Sequence, residues 1–193
     1  MVRELILNYT GQKSYTLEVH GIKRKLPLIQ VSDDTWIAYF ESLGDVELIN
    51  TSATALTKEL SGCDILMSSE SKGISLLQVI ATKLGHKQFI VCRKSRKGYM
   101  QNPIMQRYKP ITSDKEQELY LDSRFAEFLK GKNVGIVDDV VSSRATLDAM
   151  VAIVEKAGGK VARKAVILAE GKEQPDVISL AILPIFKRET DKR

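Results

Sequence analysis

Two adjacent acids, Asp138 and Asp139, follow an apolar run and stand a few residues ahead of three hydroxyls, Ser142, Ser143 and Thr146, in the stretch VGIVDDVVSSRATL (134–147). A carboxylate pair of this kind suits vicinal hydroxyls, a metal ion, or both. A hydroxyl-bearing turn that opens a helix suits a phosphate, because the first N–H groups of a helix lack partners within it and carry partial positive charge. Together they describe a seat for a sugar phosphate, with the phosphate in the turn 140–145 and the sugar hydroxyls on the acids. The plainer reading is a strand-to-helix turn whose Asp and Ser side chains cap the helix. The junction contains neither GxxxxGK[ST] nor GxGxxG, so it is not a P-loop or a dinucleotide fingerprint.

A seat of this kind needs a strand to bring the acids to the carboxyl edge of a parallel sheet, where ligands bind. Apolar runs at 63–68, 88–92, 134–137 and 161–168 read as buried strands, and helical periodicity fills 51–60, 74–84 and 146–157. Thr51 or Ser52 is placed to cap the first helix, and Gly85 stops the second. Strand and helix alternate, which predicts an α/β fold with a parallel sheet and right-handed crossovers. Residues 1–43 read as strands and turns carrying Tyr15, Trp36, Tyr39 and Phe40. Residues 95–118 are polar and weakly patterned, a length that in a compact domain usually marks a functional loop.

The chain of 193 residues, 44% hydrophobic and 27% charged, has the size and composition of one well-buried domain. No apolar run approaches a membrane helix, and the N-terminus does not read as a secretory signal, so the expectation is a cytoplasmic protein. Cys63 and Cys92 lie far apart and read as reduced, partly buried residues rather than zinc ligands. The formal charge of +5 fits a polyphosphate ligand as well as a nucleic acid. One basic cluster, IKRKL at 22–26, reads equally as solvated surface. The other, CRKSRKG at 92–98, follows a strand directly and so lies where ligands bind.

The 134–147 stretch resembles the phosphoribosyl-pyrophosphate (PRPP) motif of the type I phosphoribosyltransferases: a hydrophobic strand, two acids, two apolar residues, then a short Ser/Thr/Gly loop ending in Thr. MSSESKG (67–73), between a strand and a helix, is similar to the pyrophosphate loop of the adenine and xanthine members, a loop in which a non-proline cis peptide can occur. Arg93-Lys94 after QFIVC matches the Arg-Lys pair of that subgroup. The three motifs occur in the family's order over roughly residues 45–170.

The resemblance implies a parallel-sheet type I phosphoribosyltransferase core over about 44–169, with helices on both faces. A small hood would be built from 1–43 and 170–193, and a flexible closing loop from about 95–118, all in a single domain of 193 residues. It implies transfer of phosphoribosyl from PRPP to a purine base, with release of pyrophosphate. Asp138 and Asp139 are then the catalytic acids and the contacts for Mg²⁺. Val140, Val141, Ser142, Ser143, Arg144, Ala145 and Thr146 form the 5′-phosphate loop. Ser71, Lys72, Gly73, Arg93, Lys94 and Lys97 face the pyrophosphate, with Tyr99 a further candidate. Val140, Glu170 and Phe186 face the base, while the tail residues Ile182, Leu183 and Phe186 either wall its ring or close the core. The implied assembly is a homodimer, with neither membrane nor nucleic acid as partner. Two other readings stand beside it: a PRPP-sensing regulator that binds nucleic acid and catalyses little, and a generic sugar-phosphate-binding α/β protein.

One residue departs from the family pattern. Where the phosphate loop usually reads Thr-Gly-Gly-Thr or Thr-Gly-Ala-Thr, this chain has Ser143-Arg144-Ala145-Thr146. If the position needs positive φ, arginine is strained there by roughly 1 kcal/mol or more. If not, its guanidinium can turn to the 5′-phosphate or to solvent.

Overall fold

The computed structural model describes residues 2–109 and 116–188. Its centre is a five-stranded, all-parallel sheet made of β5 (Ile65–Ser69), β6 (Ile90–Cys92), β9 (Asn133–Val141), β10 (Lys160–Glu170) and β11 (Ile178–Leu183). The strand order across it is β11-β10-β9-β5-β6. Every residue of β5 is buried, and β9 and β10 are buried through their middles, as expected for a sheet covered on both faces.

Side chains alternate across these strands, so β9 feeds two cores. Val134 and Ile136 pack with Leu147, Met150, Ile153 and Val154 of α4 (Ala145–Lys156). Val137 points the other way, into a cluster with Leu48 and Leu56 of α1 (Val46–Thr57) and Leu76 and Ile80 of α2 (Gly73–Lys83). Helices therefore lie on both faces, as the alternation predicts.

Several boundaries differ from the sequence reading for physical reasons. Helix α1 begins at Val46 rather than 51, because Asp45 caps it by accepting the amide of Leu48 and is itself gripped by Arg24. Strand β9 runs on through both acids to Val141, since β10 continues alongside it and pairs Val166 with Asp138 and Ala169 with Val141. Segment 95–118 is not featureless: β7 (Ile104–Tyr108) pairs antiparallel with β8 (Gln117–Leu121). These strands are short and mix polar with apolar residues, which hides them from a periodicity search. Residues 110–115, also part of the expected closing loop, lie outside the described residues.

The N-terminal strands β1 (Ile6–Asn8), β2 (Ser14–Val19), β3 (Ile22–Ser32) and β4 (Thr35–Ala38) join β12 (Ile185–Lys187) in a second sheet, ordered β1-β12-β4-β3-β2. Tyr9 stacks on Trp36 at 3.7 Å, and the Arg188 guanidinium lies over both rings. The inner side of this sheet, with Leu17, Val19, Trp36 and Phe186, belongs to the same apolar cluster as α1, α2 and Leu183 of the parallel sheet. A short helix, α3 (Ser123–Ala126), links β8 to β9. No helix among the described residues is long and apolar enough to cross a membrane.

Candidate active site

The parallel strands carry the chemistry-bearing residues to one edge. Asp138 and Asp139 lie near the end of β9, on opposite sides of it. Asp139 is buried; it accepts the Ser42 hydroxyl at 3.1 Å and the Val140 amide at 2.9 Å. Asp138 stands at the mouth, where it accepts the Asp139 amide. Burial, and then the charge of Asp139, raise the Asp138 carboxyl well above the usual carboxylate range. Burial also raises Asp139, against the hydrogen bond from Ser42 and the nearby charge of Lys72.

Beyond the acids the chain turns through residues 142–144 and starts α4. A small hollow of about 160 Å³ opens there, lined by Asp138 and residues 140–147. Helix α4 has no side-chain cap, and neither does α2, whereas Asp45 caps α1 and Asp122 caps α3. Of the four α-helices among the described residues, the two that start beside the acids are thus the two whose first N–H groups are left for an anion.

Arg144 resolves the question its residue type raises. Its φ is +67°, in the left-handed region, so the loop keeps the backbone shape for which glycine is the usual residue. For a residue with a Cβ this costs about 1–2 kcal/mol. The guanidinium takes neither expected direction, phosphate seat or solvent. It forms a two-pronged ion pair with Asp176, at 2.6 and 2.9 Å, and reaches Gln174 and Asp148 at 3.3 and 3.4 Å. Only the backbone of Arg144 is left to serve a phosphate.

On the other side of the acids, β5 leads through Glu70 and Ser71, joined by a cis peptide, into α2. Gly73 opens that helix pressed against β9. A Cβ there would collide with the Ser68 hydroxyl and lie 2.8 Å from Oδ1 of Asp138. Lys72 turns toward the hood, where its ammonium meets Glu41 at 3.2 Å, the Phe40 carbonyl at 3.3 Å and the face of Tyr39. Arg93 pairs with Glu70, which also accepts the Lys94 amide at 2.9 Å. Lys94 is near enough for its charge to favour the ionised form of Asp138.

Ser71 is exposed at the head of α2. Lys97 stands further out and donates to Ser95. Tyr99 lines a hollow of about 300 Å³ with Phe89, Val91, Met100 and Phe125, and Arg93 and Arg124 border the same hollow.

On the third side, Val140 and Glu170 end neighbouring strands, and Glu170 accepts the Ser142 hydroxyl at 2.6 Å. Phe186 corrects an expectation. It is 2% exposed, sealed between the hood and the core and packed edge-on against Tyr15 at 5.7 Å. It has no free face to offer a base. Ile182 and Leu183 are likewise buried within β11.

Residues 41–184 match the family model described as phosphoribosyl transferase domain. The chain belongs to that family. An adenine phosphoribosyltransferase of Thermosipho africanus is 29% identical over 150 residues, covering 73% of this chain and 85% of that protein. The Chlorobium phaeovibrioides enzyme of the same name is 33% identical over 105 residues; that match takes in 54% of this chain and 56% of the relative. Among solved structures, adenine phosphoribosyltransferase from Thermoanaerobacter pseudethanolicus superposes with a TM-score of 0.63 at 22% identity, covering 89% of this chain and 96% of that one. The Rhodothermus marinus enzyme gives 0.62 at 22%, over 89% and 94%. These likenesses bear out the type I phosphoribosyltransferase fold.

Four residues of this phosphoribosyltransferase-family site escape the motif reading. Glu70 lies inside MSSESKG, and its position between a strand and Lys72 was the available signal. Ser42 contacts Asp139 from 97 positions away, and Tyr108, whose hydroxyl donates to Gln117 and lies beside the Thr146 hydroxyl, reaches the site only through the hairpin. Asp176 gives no local sign of its partner in the phosphate loop.

Proposed function

We propose that this phosphoribosyltransferase-family protein transfers the phosphoribosyl group of PRPP to a purine base. The products are pyrophosphate and a purine nucleoside 5′-monophosphate, as in purine salvage. The observation that carries the reading is the convergence, at one sheet edge, of a carboxylate pair, two uncapped helix N-termini and a rim of cations. A ligand with a sugar between two phosphate groups matches that order of features.

The chemistry asks for position and charge rather than for a covalent partner. The C1′–pyrophosphate bond breaks, its electrons leave with pyrophosphate, and a ring nitrogen of the base bonds to the oxocarbenium-like carbon. The amides of residues 143–146, with the hydroxyls of Ser143 and Thr146, hold the 5′-phosphate. Asp138 and Asp139 hold the ribose hydroxyls and face the positive charge that develops on the ring. Lys72, Arg93 and Lys94 stabilise the departing pyrophosphate, and the backbone of Ser71 and Gly73 contributes amides. Glu41 and Glu70 hold two of these cations at the rim. Val140 and Glu170 border the base, and the β7–β8 hairpin shields the centre from water.

A carboxylate at the mouth of a phosphate site with a second one next to it in the chain suits Mg²⁺, which prefers a few acidic oxygens together with substrate phosphates and water. Asp138 and Asp139 would hold it, and the ion supplies charge neutralisation for pyrophosphate. A homodimer is part of the same proposal, supported by the exposed pair Phe125 and Phe128 beside the Tyr99 hollow. So is a cytoplasmic location, supported by two free, buried cysteines.

The test is nucleotide formation from PRPP and Mg²⁺ with adenine, hypoxanthine, guanine and xanthine in turn. Adenine comes first because the relatives are named for it. Turnover with at least one base is expected; PRPP binding without turnover on any of them would sink the enzyme reading.

A further inference from the structure

The Arg144 ion pair has no counterpart in a loop that carries glycine, and its partner lies in a different part of the fold. Asp176 sits in the connection between β10 and β11, 32 positions away. It is held from two sides, by Arg144 and by Lys164 of β10. Gln174, 7% exposed, adds a further acceptor to the same guanidinium. The side chain of Arg144 is only 26% exposed, so it is packed into this connection and not swinging in solvent.

We infer that Asp176 is a positioning residue for the 5′-phosphate loop: by clamping the Arg144 side chain it holds residue 144 left-handed and so aims the amides that open α4 at the phosphate. An unclamped Arg144 is drawn toward negative φ, where residues with a Cβ are stable. That rotation turns the peptide planes on either side of it, which are walls of the hollow. The clamp also keeps the guanidinium off the phosphate seat, so anion binding there rests on backbone amides. Glycine needs no clamp because positive φ is open to it. On this view the chain has replaced an intrinsic backbone preference with a side-chain anchor.

The inference rests on the proposed use of this loop as a phosphate seat, and the experiment separates the two. Binding of ribose 5-phosphate is measured by calorimetry on wild type, Asp176→Ala, Arg144→Ala, Arg144→Gly and Arg144→Gly/Asp176→Ala, with melting temperatures as a check of folding. Asp176→Ala and Arg144→Ala are each expected to weaken binding about tenfold, the weight of one left-handed residue. Arg144→Gly is expected to bind more tightly than Arg144→Ala. Adding Asp176→Ala to Arg144→Gly is expected to change affinity by less than about twofold, since nothing is left to clamp. In steady-state turnover the Asp176→Ala loss belongs in KM for PRPP and not in KM for the base.

The inference is overturned if Asp176→Ala binds like wild type, or if it weakens binding equally in both backgrounds. It is overturned too if wild type binds no ribose 5-phosphate. Ribose 5-phosphate binding without turnover on any base sinks the enzyme reading alone and leaves the clamp to be judged by the affinities. Should Asp176→Ala fail to fold, the comparison of Arg144→Ala with Arg144→Gly decides: equal affinities overturn the clamp.

Discussion

Asp138 places the strongest demand on the protein. An unfolded aspartate releases its proton near pH 4, whereas burial and Asp139 keep that proton on folded Asp138 to higher pH. Between those two values folding takes up a proton, so this group's contribution to stability falls as pH rises through the window. The carboxylate proposed to hold the ribose is the form the fold disfavours. Asp138→Asn should therefore melt about 2–4 °C higher than wild type at pH 8, the shift expected for ~1 kcal/mol in a domain of this size. It should also lose roughly 100-fold or more in turnover. In wild type, kcat/KM for PRPP should rise with pH as Asp138 ionises; a flat profile from pH 5 to 9 would remove Asp138 from the mechanism. Gly73 is constrained by space instead. Gly73→Ala drives a methyl into Ser68 and Asp138, and about 1–3 kcal/mol of stability should be lost, together with most of the affinity for PRPP. Denaturant melts and a PRPP titration check both parts.

At the scale of elements, the legibility of the sequence followed the range of the forces. The β9–turn–α4 unit was readable from 134–147 because its strand, acids, hydroxyls and helix are contiguous. The start of α1 was missed because its cap, Asp45, is fixed by Arg24, 21 positions away on β3. The hairpin β7–β8 was missed because its ten residues gain their order by pairing with each other and docking on α4, where Lys156 donates to the Met105 carbonyl. Glu70 was quoted in a motif but given no role. It ties the β5–α2 loop to the end of β6 through Arg93 and the Lys94 amide. Glu70→Ala should leave stability within about 1 kcal/mol, since the pair is partly exposed. It should still raise KM for PRPP about tenfold, because the two residues proposed to face pyrophosphate lose their common anchor. An unchanged KM in that variant would deny Glu70 this role.

At the scale of the whole molecule, hood and core are one apolar body, since a single cluster takes in Trp36 and Phe186 as well as Leu56, Leu76 and Val137. That unity puts Phe186 in the core. From sequence alone an apolar tail can wall a pocket or close a core, and only the register of β12 beside β4 decides it. It also predicts a single calorimetric transition, with no separate melting of residues 2–40. The homodimer proposed above makes a further prediction at this scale. Phe125→Glu, on the exposed face beside the Tyr99 hollow, should convert the sedimenting species from dimer to monomer without lowering the melting temperature by more than about 5 °C. A wild-type chain that sediments as a monomer would end that part of the proposal.

The order β1-β12-β4 has a consequence in time. Ile37 pairs with Ile185, and Ile6 pairs with the same residue from the other side. A ribosome that has made Ile37 must add about 150 more residues before Ile185 exists. At 5–20 residues per second that is roughly 7–30 s. Throughout that interval β1 and β4 wait without the strand that lies between them, and Trp36 lacks part of its cover. The first strands of the hood are thus made long before β12, the strand that joins β1 to β4.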